Sequence, residues 1–127
     1  MTKQQARRPL SPHLQVYRPQ ITSVSSILHR ITGLLLSGFS LLWVIWLLAL
    51  HDSETAYVQL QQLLQSWPGK ILLVLAGWAL FYHLLTGIRH MIWDSVHMLE
   101  LDAAKRSGWI VIGLSLLMTL IAIGVWL

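Results

Sequence analysis

Cysteine is absent from this chain. Its absence excludes a disulfide framework, a thiolate-held iron–sulfur cluster and covalent c-type haem attachment within the chain. Charge is scarce: Asp, Glu, Lys and Arg make up 11% of the residues and apolar side chains 55%, where a soluble domain carries about 25% charged residues. Little polar surface is left to cover a helical bundle in water. No apolar run precedes residue 27, so no cleavable signal peptide is expected.

The missing charges define the architecture. Ile31 to His51, Ile71 to Ile88 and Ser107 to Leu127 contain no Asp, Glu, Lys or Arg. Each has the length, about 20 residues, that carries a helix across the roughly 30 Å hydrocarbon layer. A lone strand there would leave its backbone unpaired, so helix is the spanning choice. The chain reads as an all-α membrane protein with spans at about 27–50, 70–93 and 107–127. An N-terminal arm over 1–22 precedes the anchor domain of 23–127. Pro9, Pro12 and Pro19 keep the arm extended. The first helix is expected to begin near Thr22 or Ser23, either able to cap it. Within the loop of 51–69, Tyr57, Leu60, Leu63 and Leu64 predict a short interfacial helix ended by Pro68-Gly69.

The few charges that exist are lopsided. Lys3, Arg7, Arg8, Arg18 and Arg30 flank the start of the first span, and Arg89, Lys105 and Arg106 the second connection. The first connection holds only Lys70. The positive-inside rule places the N-terminus in the cytoplasm. The net charge of +4 therefore reads as topology, with the bilayer and not nucleic acid as partner. Trp43, Trp46, Trp67, Trp93, Trp109 and Trp126 mostly sit near span ends, as aromatic belts do.

Ionisable groups inside a membrane helix are costly and call for a reason. His83, Gly87, His90 and Asp94, spaced by four, three and four, share one helix face. His83 lies about 9 Å inside the level of Arg89 at 1.5 Å per residue. Three readings stand: a hydrogen bond to a neighbouring helix, a proton relay, and a haem ligand. Gly87 on the same face would let a flat macrocycle approach, and His29, Arg30, Arg89 and His90 collect where two propionates would need partners. His83 and His90 are about 10.5 Å apart along the axis, too far to ligate one iron. His29 is placed at the end of the first helix and His51 on the far side, so a second histidine ligand implies another chain. In a second cluster, Ser26 and Arg30 are four apart. A hydroxyl and a guanidinium there suit a quinone carbonyl, with Leu14 and Ile27 as apolar walls. The plainer reading has Arg30 snorkelling to headgroups and Ser26 bonded to its own backbone.

Three motifs together resemble the larger membrane-anchor subunit of succinate dehydrogenase, complex II. They are Arg8-Pro9-Leu10-Ser11-Pro12-His13-Leu14 with Tyr17, Ser26-Ile27-Leu28-His29-Arg30 with Gly33, and His83 with Gly87-Ile88-Arg89-His90 and Asp94. Their order and the three-span layout match across nearly the whole chain. The resemblance implies a heteromeric helical bundle. His83 would be an axial ligand of haem b, the opposite ligand coming from a second, smaller anchor subunit. His29, Arg30 and His90 would lie near the propionates. Ser26, Arg30, Ile27 and Leu14 would belong to a ubiquinone pocket completed by the iron–sulfur subunit and the second anchor. Succinate would be oxidised on a flavoprotein subunit, and no catalysis would belong to this chain alone. Asp94 would be either structural or part of a proton route. The expected location is a bacterial cytoplasmic (inner) membrane.

Three alternatives stay open. A haem-free structural anchor is one. A fumarate reductase anchor running the reverse reaction is another, since direction depends on cofactor potentials in other subunits. A proton-conducting transporter subunit is the third. It needs polar residues across the whole span, and the second helix has none from Ile71 to Leu80. The first offers only Ser37 and Ser40, the third only Ser115 and Thr119.

Overall fold

The computed structural model describes residues 18–126. The proline-rich motif, Tyr17 and Leu14 of the expected quinone pocket lie outside the described residues. Four helices follow one another: α1 (Ile21–Asp52), α2 (Glu54–Gln65), α3 (Trp67–Asp94) and α4 (Leu101–Trp126). There is no strand among the described residues. α1, α3 and α4 are each long and apolar enough to cross a membrane. α3 is the central element, packing on both α1 and α4, while α2 bridges α1 and α3 at the far end. The start of α1, the end of α3 and the start of α4 therefore share one end of the molecule.

The helix ends differ from the sequence expectation in instructive ways. α1 starts at Ile21 with Gln20 at its cap and no side-chain cap bond, so Thr22 and Ser23 are already helical. The expected interfacial helix is α2. Ser53 caps it by accepting from the Ala56 amide at 3.2 Å, and Glu54 sits in its positively polarised first turn. Its inner face carries Ala56, Tyr57, Leu60 and Leu64, while Leu63 points outward. Pro68-Gly69 does not end a helix but opens α3, Pro68 taking a first-turn position where its missing N–H costs nothing. Ser66 stops α2 instead, donating its amide to the Gln62 and Leu63 carbonyls and capping α3. α4 begins at Leu101, well before the charge-free run, because Asp102, Lys105 and Arg106 leave the hydrocarbon without leaving the helix.

The bundle is packed with small and polar groups and is apolar outside. Besides Gly69 near its start, the buried positions on α3 are Ala79, Tyr82, Thr86 and Arg89, spaced by three, four and three. On α4 they are Ala104, Ser107, Gly108, Val111, Ser115 and Thr119. Leu, Ile and Val side chains cover the outer faces. Lipid is as apolar as leucine, so helices gain by close approach and by hydrogen bonds, both of which small hydroxyl residues allow.

The strongest such contact is Arg89, only 5% exposed. Its Nη1 donates to Ser25 Oγ of α1 at 2.8 Å, its Nε to Ser107 Oγ of α4 at 2.9 Å, and its Nη2 to the Ala104 carbonyl at 2.8 Å. The guanidinium lies 4.0 Å over the Trp93 ring. Tyr82, one face-repeat earlier, donates its hydroxyl to the Ser25 carbonyl at 3.2 Å. One residue of α3 thus ties three helices at one end. Gly108 sits against this knot, where an added Cβ would come within 3.1 Å of Ile21 Cγ1.

The α3–α4 connection closes with the His97 amide on the Ile92 carbonyl at 3.2 Å and the Val96 amide on Trp93 at 2.8 Å. This pairing is a Schellman motif, whose left-handed residue is usually glycine. Here it is Val96, at φ 62°.

Two outcomes are expected in thermal unfolding of the detergent-solubilised protein. Arg89→Lys loses the fork that reaches two helices at once. At roughly 0.6–1.7 kcal/mol per interhelical bond in a bilayer, the loss should be about 2–4 kcal/mol, and Ser107→Ala should cost less. Val96→Gly should raise stability by about 0.5–1 kcal/mol, the left-handed penalty less glycine's entropy cost.

Candidate functional site

Two imidazoles from different helices lie face to face beside the arginine knot. The His29 ring of α1 and the His83 ring of α3 are stacked, with centroids 4.0 Å apart and planes 9° from parallel. Both sit at one depth, so His29 is not confined to the helix end as the linear reading placed it. The antiparallel run of α1 and α3 brings the third turn of one beside the interior of the other. His90 meets the edge of His29 at 5.0 Å, and Trp93 meets His90 at 5.3 Å. A ladder of rings thus runs from His83 to Arg89.

Hydrogen bonding holds Nδ1 of each stacked ring. Thr86 Oγ1 donates to the Tyr82 carbonyl at 2.7 Å, sharing with that of His83 at 3.0 Å. The same oxygen lies 2.6 Å from His29 Nδ1, a hydrogen bond between the two side chains. Thr32 Oγ1 likewise donates to the Leu28 and His29 carbonyls, each at 2.9 Å. His83 Nδ1 faces the His29 carbonyl at 3.1 Å and Thr32 Oγ1 at 3.3 Å, and against a carbonyl it must donate. In a neutral His83 ring the lone pair is then left on Nε2. Neither Nε2 has a hydrogen-bond partner among the described residues. An imidazole anchored through Nδ1–H with a bare Nε2 is the ordinary form of a metal ligand. Parallel rings in contact cannot bind one metal ion from opposite sides.

The two glycines of the site differ. An added Cβ on Gly33 would fall 2.9 Å from His83 Cε1, so Gly33 makes room for that ring. At Gly87 nothing lies within 4 Å. The face that Gly87 shares with His83 opens outward.

Ser26 and Arg30 lie one turn apart on α1, flanked by Ile27, which is 55% exposed. Ser26 Oγ makes no hydrogen bond among the described residues, not even to its own helix, and Arg30 is exposed and unpaired there. The neighbouring Ser25 differs: it donates to the Thr22 carbonyl at 3.0 Å and receives Arg89. Arg89 itself is withdrawn from the cluster of exposed cations expected for propionates, its three nitrogens being used inside the bundle. Asp94 ends α3, exposed and unpaired among the described residues. Ser37, Ser40, Ser115 and Thr119 donate to carbonyls of their own helices, which forms no polar path across the bundle.

The family model for the succinate dehydrogenase/fumarate reductase transmembrane subunit matches residues 4–122. The chain belongs to that family. Relatives in this family include the succinate dehydrogenase cytochrome b556 subunit of Paracoccus denitrificans, 40% identical over 91% of this chain and 89% of the relative. The cytochrome b560 subunit of Reclinomonas americana is 38% identical, covering 91% and 83%. The mitochondrial cytochrome B subunit of Schizosaccharomyces pombe is 37% identical, covering 92% and 68%. The chain is therefore a multi-pass membrane-anchor subunit of this oxidoreductase family.

Thr32, Thr86, Ser25, Tyr82 and Ser107 escaped the sequence reading. A signal for the threonines was present: the pattern His-x-x-Thr-Gly occurs twice, as His29-Arg30-Ile31-Thr32-Gly33 and His83-Leu84-Leu85-Thr86-Gly87. Gly33→Ala is expected to displace the His83 ring and lower thermal stability by about 1–3 kcal/mol, the cost of overpacking a fitted contact. Gly87→Ala should leave the stability of the bundle near wild type.

Proposed function

We propose that the chain anchors succinate dehydrogenase in the membrane, holds haem b through His83 and forms part of the site where ubiquinone is reduced. The observation that supports the ligand assignment most directly is the bare Nε2 of His83, with Nδ1 held by the His29 carbonyl and Thr32. The open space at Gly87 suits a flat macrocycle on the same face. His83 would supply one axial ligand and a second, smaller anchor subunit the other. His29, Arg30 and His90 are the groups available to the propionates, Arg89 being engaged elsewhere. When bound, the haem supplies a one-electron store beside the quinone.

This chain's own residues do simpler work. A quinone accepts two electrons and two protons to become a quinol, and negative charge grows on its oxygens on the way. Arg30, exposed and unpaired among the described residues, offers a charge-assisted hydrogen bond that stabilises that charge in place. Ser26 offers a hydroxyl whose proton is not spent on its own helix. Ile27, with Leu14 from the arm, offers the ring an apolar wall. The electrons come from succinate by way of the flavoprotein and iron–sulfur subunits, docked on the cytoplasmic side where the lysines and arginines collect. Asp94 stands at that same surface, as a structural group or a proton entry point.

The test is purification of the whole complex from native membranes in mild detergent, with reduced-minus-oxidised spectra after succinate. Wild type should carry a b-type signal and the other three subunits. His83→Ala should lose the signal. Co-purification without haem in wild type leaves a docking role alone, and loss of both partners and haem overturns the reading. Ser26→Ala should raise KM for ubiquinone about 3–10-fold, the worth of one neutral hydrogen bond. Arg30→Leu should cost roughly 10–100-fold in kcat/KM. Succinate oxidation by a soluble artificial acceptor should be unchanged in both.

A further inference from the structure

The two His-x-x-Thr-Gly segments do more than share a pattern. Each threonine spends its own proton on carbonyls three and four residues back, an ordinary habit of threonine in helices. The same oxygen also faces a histidine of the other helix. Thr86 Oγ1 of α3 is hydrogen-bonded to Nδ1 of His29, and Thr32 Oγ1 of α1 takes a share of the Nδ1–H of His83. The two helices thus exchange histidines, each held by the threonine of the other.

The exchange is symmetric in sequence and asymmetric in space. Gly33 receives the edge of His83, whereas Gly87 receives nothing. His83 is consequently confined on three sides. The His29 ring covers one face, the Gly33 notch takes Cε1, and the His29 carbonyl with Thr32 holds Nδ1. Only Nε2 is free. His29 can serve as a wall only because Thr86 fixes its own plane.

We propose that Thr32, Thr86 and His29 are positioning residues that set the ring plane and tautomer of His83. The inference rests on the reading of His83 as a haem ligand and goes beyond it. The residues touch no iron, and they act through the imidazole that does.

The test uses the intact complex from native membranes. Thr32→Val and Thr86→Val keep the side-chain shape and delete the hydroxyl, while the corresponding serine variants keep the hydroxyl. Two readouts are taken: haem per flavin after extended detergent washing, and the low-temperature electron paramagnetic resonance of the ferric haem. The g anisotropy of that signal follows the orientation of the axial imidazole planes. Both valine variants should assemble, shift the g values, and bind haem about 10-fold more weakly, the low end for partners of a metal-bound histidine. Both serine variants should match wild type. Wild-type g values and haem retention in the valine variants would overturn the proposal. So would failure of the valine variants to assemble, which would make the hydroxyls general supports of the bundle. A wild-type haem signal in His83→Ala would instead remove the ligand reading on which the proposal stands.

Discussion

A guanidinium buried at a helix junction without a carboxylate is the constraint on which this molecule turns. Arg89 carries a full charge where charge is costly. It is met by two serine hydroxyls, a backbone carbonyl and the face of Trp93. Those partners come from α1, α4 and α3 itself, so satisfying the arginine fixes how three helices meet. The same serine that receives Arg89 presents its carbonyl to Tyr82. Two sites seven residues apart on α3 therefore hold one site on α1.

The functional geometry follows from that register. With Ser25 pinned to Arg89, His29 falls one turn further along α1, opposite the turn of α3 that carries His83 and Thr86. The stacked imidazoles and their exchanged threonines need no separate device to find each other. Ser26, next to the pinned residue, is half-buried beside the exposed Ile27 and Arg30, and its hydroxyl makes no hydrogen bond among the described residues. Inner contacts are made by small hydroxyl and glycine positions, leaving the leucine-rich outer faces for lipid and partner subunits.

The spans were legible because lipid excludes charge, and three charge-free runs mark the hydrocarbon layer. Helix ends were not, because hydropathy marks the membrane and not the hydrogen-bonded helix. α4 runs back through Arg106, Lys105 and Asp102, and Pro68-Gly69 begins a helix where its composition suggested a break. Within the site, the face holding His83, Gly87, His90 and Asp94 was readable from spacing alone. Arg89 shares one end of the spans with His29, Arg30 and His90, which suggests a place among the propionate partners. Its periodicity instead puts it with Ala79, Tyr82 and Thr86 on the packed face, a distinction that helical spacing can make. What spacing cannot give is register between helices, so the facing of His29 and His83 emerged only from the fold. Leu14 and the proline motif lie outside the described residues and remain part of the proposal.

The central claim is that α1 and α3 hold His83 by Nδ1 so that Nε2 alone meets iron. An experimental structure of the complex isolated from native membranes tests it most directly. The account requires iron bonded to His83 Nε2, with Nδ1 on the His29 carbonyl and the His29 ring still stacked alongside. Iron on another residue, or a His83 ring turned to bond through Nδ1, would contradict it.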